Sequence, residues 1–182
     1  MDDVHDGPQW NFFGKCHVQA SQGGNKNWRG STGGVVGAPI DKVWTTVSES
    51  SRLSDWMPMV ENCTSLSGEE GVPGYVRLVS GFMFPQEDGE RSWIKERLVF
   101  MDRNCYSYSY CLESSNVGLD GLVNTLKLTD YGEGSTLVDW SFEVAPVVGL
   151  SKEAVVDYLV FLYKSCINRL EGAIQTTSKD TL

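Results

Sequence analysis

The stretch Ser151-Lys152-Glu153-Ala154-Val155-Val156-Asp157-Tyr158-Leu159-Val160-Phe161-Leu162-Tyr163-Lys164-Ser165-Cys166-Ile167-Asn168-Arg169-Leu170 decides the fold. Val155, Val156, Leu159, Val160, Leu162, Tyr163, Cys166, Ile167 and Leu170 recur at helical spacing. They form one broad apolar face and predict a long helix running to about Gln175. Ser151, with Glu153 close behind, supplies a cap region for its start. A helix this apolar on one side must bury that side against another layer.

The preceding chain offers one such layer. From Val60 onward, segments of period-2 alternation follow one another: Val60 to Ser67, Tyr75 to Phe82, Arg91 to Met101, Cys105 to Glu113, Leu119 to Thr129 and Thr136 to Val144. Turn signals separate several of them, at Gly68 to Gly74, Pro85 to Gly89 and Tyr131 to Gly134, as in an antiparallel meander. Upstream, Trp28 to Val36 suits a first strand. Pro39 fits a first helical position, and Ile40, Val43, Trp44 and Val47 keep helical spacing. A second short helix is expected from about Arg52 to Trp56, ended by Pro58. The expected class is α+β: a curved antiparallel sheet of about seven strands wrapped around a long C-terminal helix, with two short helices after the first strand.

One domain is expected over residues 28–175, with a short tail over 176–182. Residues 1–27 read as a mostly flexible extension, although the island Trp10-Asn11-Phe12-Phe13 leaves open a segment docked on the sheet.

Composition narrows the function. A chain of 182 residues with 41% hydrophobic and 21% charged residues is ordinary globular material. The net charge of −9 leaves no basic footprint, so neither nucleic acid nor an anionic membrane is an expected partner. No apolar run is long enough for a bilayer, and no signal peptide is visible. Cys16, Cys63, Cys105, Cys111 and Cys166 lack metal-like spacing and read as free thiols of a cytoplasmic protein. His5 and His17 both lie in the extension, which argues against Ser-His or Cys-His nucleophilic sites and against a His-based metal site. Neither metal nor cofactor is expected. Acid–base chemistry would fall to Asp, Glu, Tyr, Lys or Cys.

Strand alternation places candidates for that chemistry. In Arg91 to Met101 one face reads Ile94, Glu96, Leu98 and Phe100, apolar apart from a single carboxylate. Glu96 either reaches solvent at a strand end or bulge, or faces a core where it needs a partner or water. Arg77 interrupts the otherwise apolar run from Tyr75 to Val79. If both point inward, each relieves the burial of the other, and the pair becomes a polar anchor in an apolar pocket. Tyr106, Tyr108 and Tyr110 share a face, either around a polar cavity or as a plain aromatic surface. Val138, Trp140, Phe142 and Val144 read as simple core.

Trp28-Arg29-Gly30, Trp56-Met57-Pro58, Gly74-Tyr75-Val76-Arg77, Lys95-Glu96-Arg97-Leu98, Ser107-Tyr108-Ser109-Tyr110 and Asp139-Trp140-Ser141-Phe142 occur in that order. Together, over about Trp28 to Gln175, they resemble the plant lachrymatory factor synthase-like family. That family sits in the START/polyketide cyclase helix-grip superfamily with the abscisic acid receptors. The resemblance implies a cavity lined by an Arg, a Glu and two Tyr, which in one member rearranges an alkenyl sulfenic acid into a thial S-oxide. By matching motifs, the Arg falls on Arg77, the Glu on Glu96 and one Tyr on Tyr110. The second Tyr falls on Leu122, which removes a hydroxyl. The proline-bearing gate loop of the receptors is not reproduced in Ser80-Gly81-Phe82-Met83-Phe84-Pro85.

The expected catalytic residues are therefore Glu96 as base or proton shuttle, Arg77 as oxyanion partner and Tyr110 as donor. Tyr108, Leu122, Trp56, Phe84, Trp140 and Leu159 are expected to line the ligand wall. The expected activity is that of a cofactor-independent isomerase or cyclase acting on a small, partly apolar molecule. The alternative is a carrier or receptor that binds such a molecule without turnover.

Overall fold

A computed structural model describes residues 27–86 and 88–179. The expected extension, apart from residue 27, and both histidines lie outside the described residues. Strand β1 (Trp28–Val36) leads into helix α1 (Ile40–Ser48), a 3-10 turn (Ser50–Arg52) and the short helix α2 (Leu53–Trp56). Six strands follow: β2 (Val60–Ser67), β3 (Val76–Gly81), β4 (Ser92–Asp102), β5 (Ser107–Ser115), β6 (Val123–Gly132) and β7 (Ser135–Val144). Helices α3 (Lys152–Ile167) and α4 (Leu170–Lys179) close the chain. The strands form one antiparallel sheet in the order β1-β7-β6-β5-β4-β3-β2, so the meander is closed by β1 returning to β7.

Helix α3 begins where Ser151 accepts a hydrogen bond from the Ala154 N–H at 3.1 Å, satisfying one orphan donor of the first turn. Val155, Leu159, Leu162, Tyr163, Cys166 and Ile167 are its buried face, as the spacing predicts. Close packing on β1 depends on a missing side chain. A Cβ at Gly34 would meet Ile167 Cγ2 at 3.0 Å and Lys164 Nζ at 3.1 Å. The glycine also leaves room for Lys164 to donate to the Gly33 carbonyl at 2.6 Å.

Several expected boundaries move, each for a local reason. The terminal helix is two segments, because the Arg169 N–H bonds back to Cys166 O at 3.0 Å, tightening the backbone before α4 resumes. Helix α4 continues to Lys179, through residues expected in a tail. Strand β6 starts at Val123 rather than Leu119, since Leu119 to Leu122 form a turn in which Gly121 takes a positive φ of 86°. Phe100 was expected on the inner face and is instead 47% exposed. A register shift between Leu98 and Phe100 reverses the alternation there. Tyr106 precedes β5 in a left-handed conformation and sends its hydroxyl to Asp41 at 2.7 Å, away from Tyr108 and Tyr110.

Candidate functional site

Antiparallel pairing sets Arg77 of β3 directly opposite Glu96 of β4. Both side chains point to the concave face and are buried, at 3% and 5% exposure. Arg77 Nε and Nη2 each lie 2.7 Å from the same carboxylate oxygen, Glu96 Oε1. Nη1 donates to Ser50 Oγ at 3.0 Å, and the guanidinium carbon sits 3.9 Å from the centre of the Tyr110 ring. The cation is thus held by an anion, a hydroxyl and a π face. Burial works against its charge, yet the Glu96 carboxylate beside it holds the Arg77 pKa above the ordinary value. Ser50 reaches this point because the Glu70 carboxylate accepts its backbone N–H at the start of the 3-10 turn.

The two aromatic hydroxyls on β5 differ in role. Burial pushes the Tyr110 phenol up to about 12, with the Arg77 charge pulling against it, so Tyr110 stays protonated at ordinary pH. Tyr108 is also raised by burial, but its hydroxyl is committed to the Val47 carbonyl at 3.1 Å. On α3, Tyr163 stacks on Trp140 at 4.2 Å and donates to Asn124 Oδ1. Cys63 lies close enough for Ser50 to hydrogen-bond its thiol, which burial raises above the usual range. It is a poor nucleophile there.

These groups edge a hollow between sheet and helix. The centres of water-sized molecules can occupy about 60 Å³ of it, within about 700 Å³ of empty space counted out to the mouth. Since one water needs on the order of 10–15 Å³ by that measure, the slot holds a few waters or one slim molecule unless its walls part. Arg77, Glu96, Tyr108, Tyr110, Leu122, Phe84 and Trp140 all line it. Two expected wall residues do not. Trp56 is fully buried behind Trp140, ring centres 5.6 Å apart, and Leu159 packs into the core at 1% exposure. The lining residues Asn124 and Tyr163, together with Ser50 beside Arg77, were not anticipated. Tyr163 looked like one more residue of an apolar helix face, and Ser50 carries no pattern.

The whole of this arrangement falls within residues 8–175, which match the family model described as polyketide cyclase / dehydrase and lipid transport. The chain belongs to that family. The match begins inside the segment read from sequence as an extension. Among solved structures, a START superfamily protein from Mycobacterium smegmatis is similar with a TM-score of 0.69 at 15% identity, over 82% of this chain and 98% of that one. The protein XoxI from Bacillus cereus is similar with a TM-score of 0.67 at 20% identity, over 82% and 97%. An uncharacterized protein from Bacillus thuringiensis has a TM-score of 0.67 at 20% identity, over 81% and 98%. At these identities the likeness establishes the START-like helix-grip fold. That fold is suited to holding a hydrophobic ligand between sheet and helix. Among the described residues no helix is long and apolar enough to cross a membrane.

Proposed function

We propose that this protein is a cofactor-independent isomerase or cyclase of the lachrymatory factor synthase-like kind, acting in the cytoplasm on a small, partly hydrophobic molecule. One observation carries the reading: the buried Glu96 carboxylate, held at Oε1 by Arg77, lines the hollow. A carboxylate in an apolar slot, fixed by a neighbouring cation, suits abstraction and return of a proton. Arg77 stabilises negative charge developing on the substrate, and Tyr110, protonated at ordinary pH, donates a hydrogen bond or proton to it. Leu122 stands where the family resemblance places a second Tyr, so the sulfenic acid rearrangement itself is not the reaction favoured here.

A second reading, a carrier without turnover, has its own support. The Tyr108 hydroxyl is already taken by Val47, and the rest of the wall is largely apolar. The test is incubation with a plant metabolite extract, comparing wild type with Glu96→Gln by mass spectrometry. Wild type should consume a compound that the folded variant leaves untouched. Equal consumption by the variant removes Glu96 from catalysis. No consumption, with a small molecule retained through gel filtration, establishes the carrier.

A further inference from the structure

The hollow has a second polar pole that the proton chemistry above does not use. Asn124 lies on β6 directly opposite Tyr110 of β5 on one side and Phe142 of β7 on the other. Its side chain lines the hollow and is half-buried. The Oδ1 atom accepts the Tyr163 hydroxyl from α3. Tyr163 is itself clamped flat against Trp140, with an interplanar angle of 3°. This contact fixes which way the amide faces, because its acceptor is already engaged and the amino group is the end left over. Among the described residues, the only buried polar side-chain atom without a partner is Trp56 Nε1, so the Asn124 amino group is not walled off in the core. It can present its N–H donors to the hollow. The remaining lining in this part, Leu122, Trp140 and Leu162, is apolar apart from the Trp140 indole N–H.

We infer that Asn124 is a specificity-determining donor for an acceptor oxygen of the ligand, oriented by Tyr163. The ligand then carries two oxygen functions separated by apolar carbon. One is handled by Arg77, Glu96 and Tyr110, the other is a carbonyl, sulfoxide or ether oxygen received by Asn124. A site built to hydrogen-bond such an oxygen rejects the analogue that lacks it, since the amide is then left unpaired. The inference rests on the reading of the hollow as a small-molecule site and names the substrate class for it.

The experiment uses two probes of equal chain length, hexanol and the corresponding hydroxyhexanone, titrated into the full-length protein and followed by amide chemical shifts. Wild type is expected to prefer the hydroxyhexanone by roughly threefold to tenfold, the contribution of one added hydrogen bond. The double variant Asn124→Leu with Tyr163→Phe removes both polar groups together and leaves neither unpaired. It should bind hexanol more tightly than wild type does, because no amide is left unpaired, and lose the preference. Tyr163→Phe alone, which keeps the Trp140 stack, should weaken the preference without abolishing it. A preference that survives in the double variant, or a wild type that binds both probes equally, overturns the role of Asn124. A wild type that binds neither probe overturns the small-molecule reading of the hollow, and this inference with it.

Discussion

Strand β4 carries ion pairs on both of its faces, and they do different things. On the concave side Glu96 meets Arg77 with side-chain exposures of 6% and 4%. On the convex side Arg97 and Lys95 share Glu113 of β5, at exposures of 43%, 39% and 26%. The chemical partners are alike and the residues adjacent. In water the outer charges are screened and lose little when separated, so that contact is a local convenience. The inner charges have been stripped of water, and each is tolerable only because the other is there. The contrast explains why the inner pair, and not the outer one, singles out a candidate site.

The strongest way to break this comparison is to remove one inner charge. Arg77→Met leaves Glu96 buried without its cation, and the expected cost is about 3–5 kcal/mol of unfolding free energy. Adding Glu96→Leu to that variant should recover most of the loss, because an apolar pair of similar volume needs no compensation. Urea denaturation of the single and double variants measures both. If the double variant is as unstable as the single one, the pair is contributing more than mutual relief. Ser50→Ala sharpens the same point with a smaller effect. It removes the acceptor of Arg77 Nη1, 3.0 Å away, and should cost about 1–3 kcal/mol in the same measurement. A loss indistinguishable from zero would mean that water replaces the hydroxyl and that the site is wetter than its walls suggest.

How much of this was legible in the sequence follows from what each residue reports. Strands β1 and β2 and the antiparallel meander were readable because alternation and turn residues are local signals, whereas the return of β1 to β7 was not. Arg77 and Glu96 stood out because a charge in an apolar register is anomalous wherever the strand ends up. The bulge that exposes Phe100 was not readable, since an extra residue in one strand leaves no mark on the alternation before it. Nor was the break before α4, which comes from a single tightened hydrogen bond rather than from Gly or Pro. Ser50 and Asn124 are invisible for a further reason: their roles come from partners 27 and 39 residues away, brought near only by the finished fold. Trp56 and Leu159 show the converse error. Apolarity and inward direction predict burial, but they do not say whether a cavity or another side chain lies beyond.

The smallest expected effect belongs to the outer pair and is the one that confirms the contrast. Hydrogen bonds from Arg97 and Lys95 hold the Glu113 carboxyl below the ordinary carboxylate value of 4.5. A group whose pKa is lowered on folding stabilises the fold above its unfolded value, and the contribution disappears as pH falls through the folded value. Glu113→Gln should therefore cost a little stability at neutral pH and low salt, and the difference from wild type should shrink on acidification below the ordinary Glu range. It should shrink as well in molar salt, where exposed charges are screened within roughly 3 Å. Arg77→Met, measured alongside at neutral pH, should keep its full penalty in the same salt, because ions do not enter the slot where Glu96 sits. Thermal or urea unfolding at two salt concentrations separates the two cases. An outer variant that is costly and indifferent to salt, or an inner one whose penalty melts away with it, would mean that both faces of β4 see the same solvent.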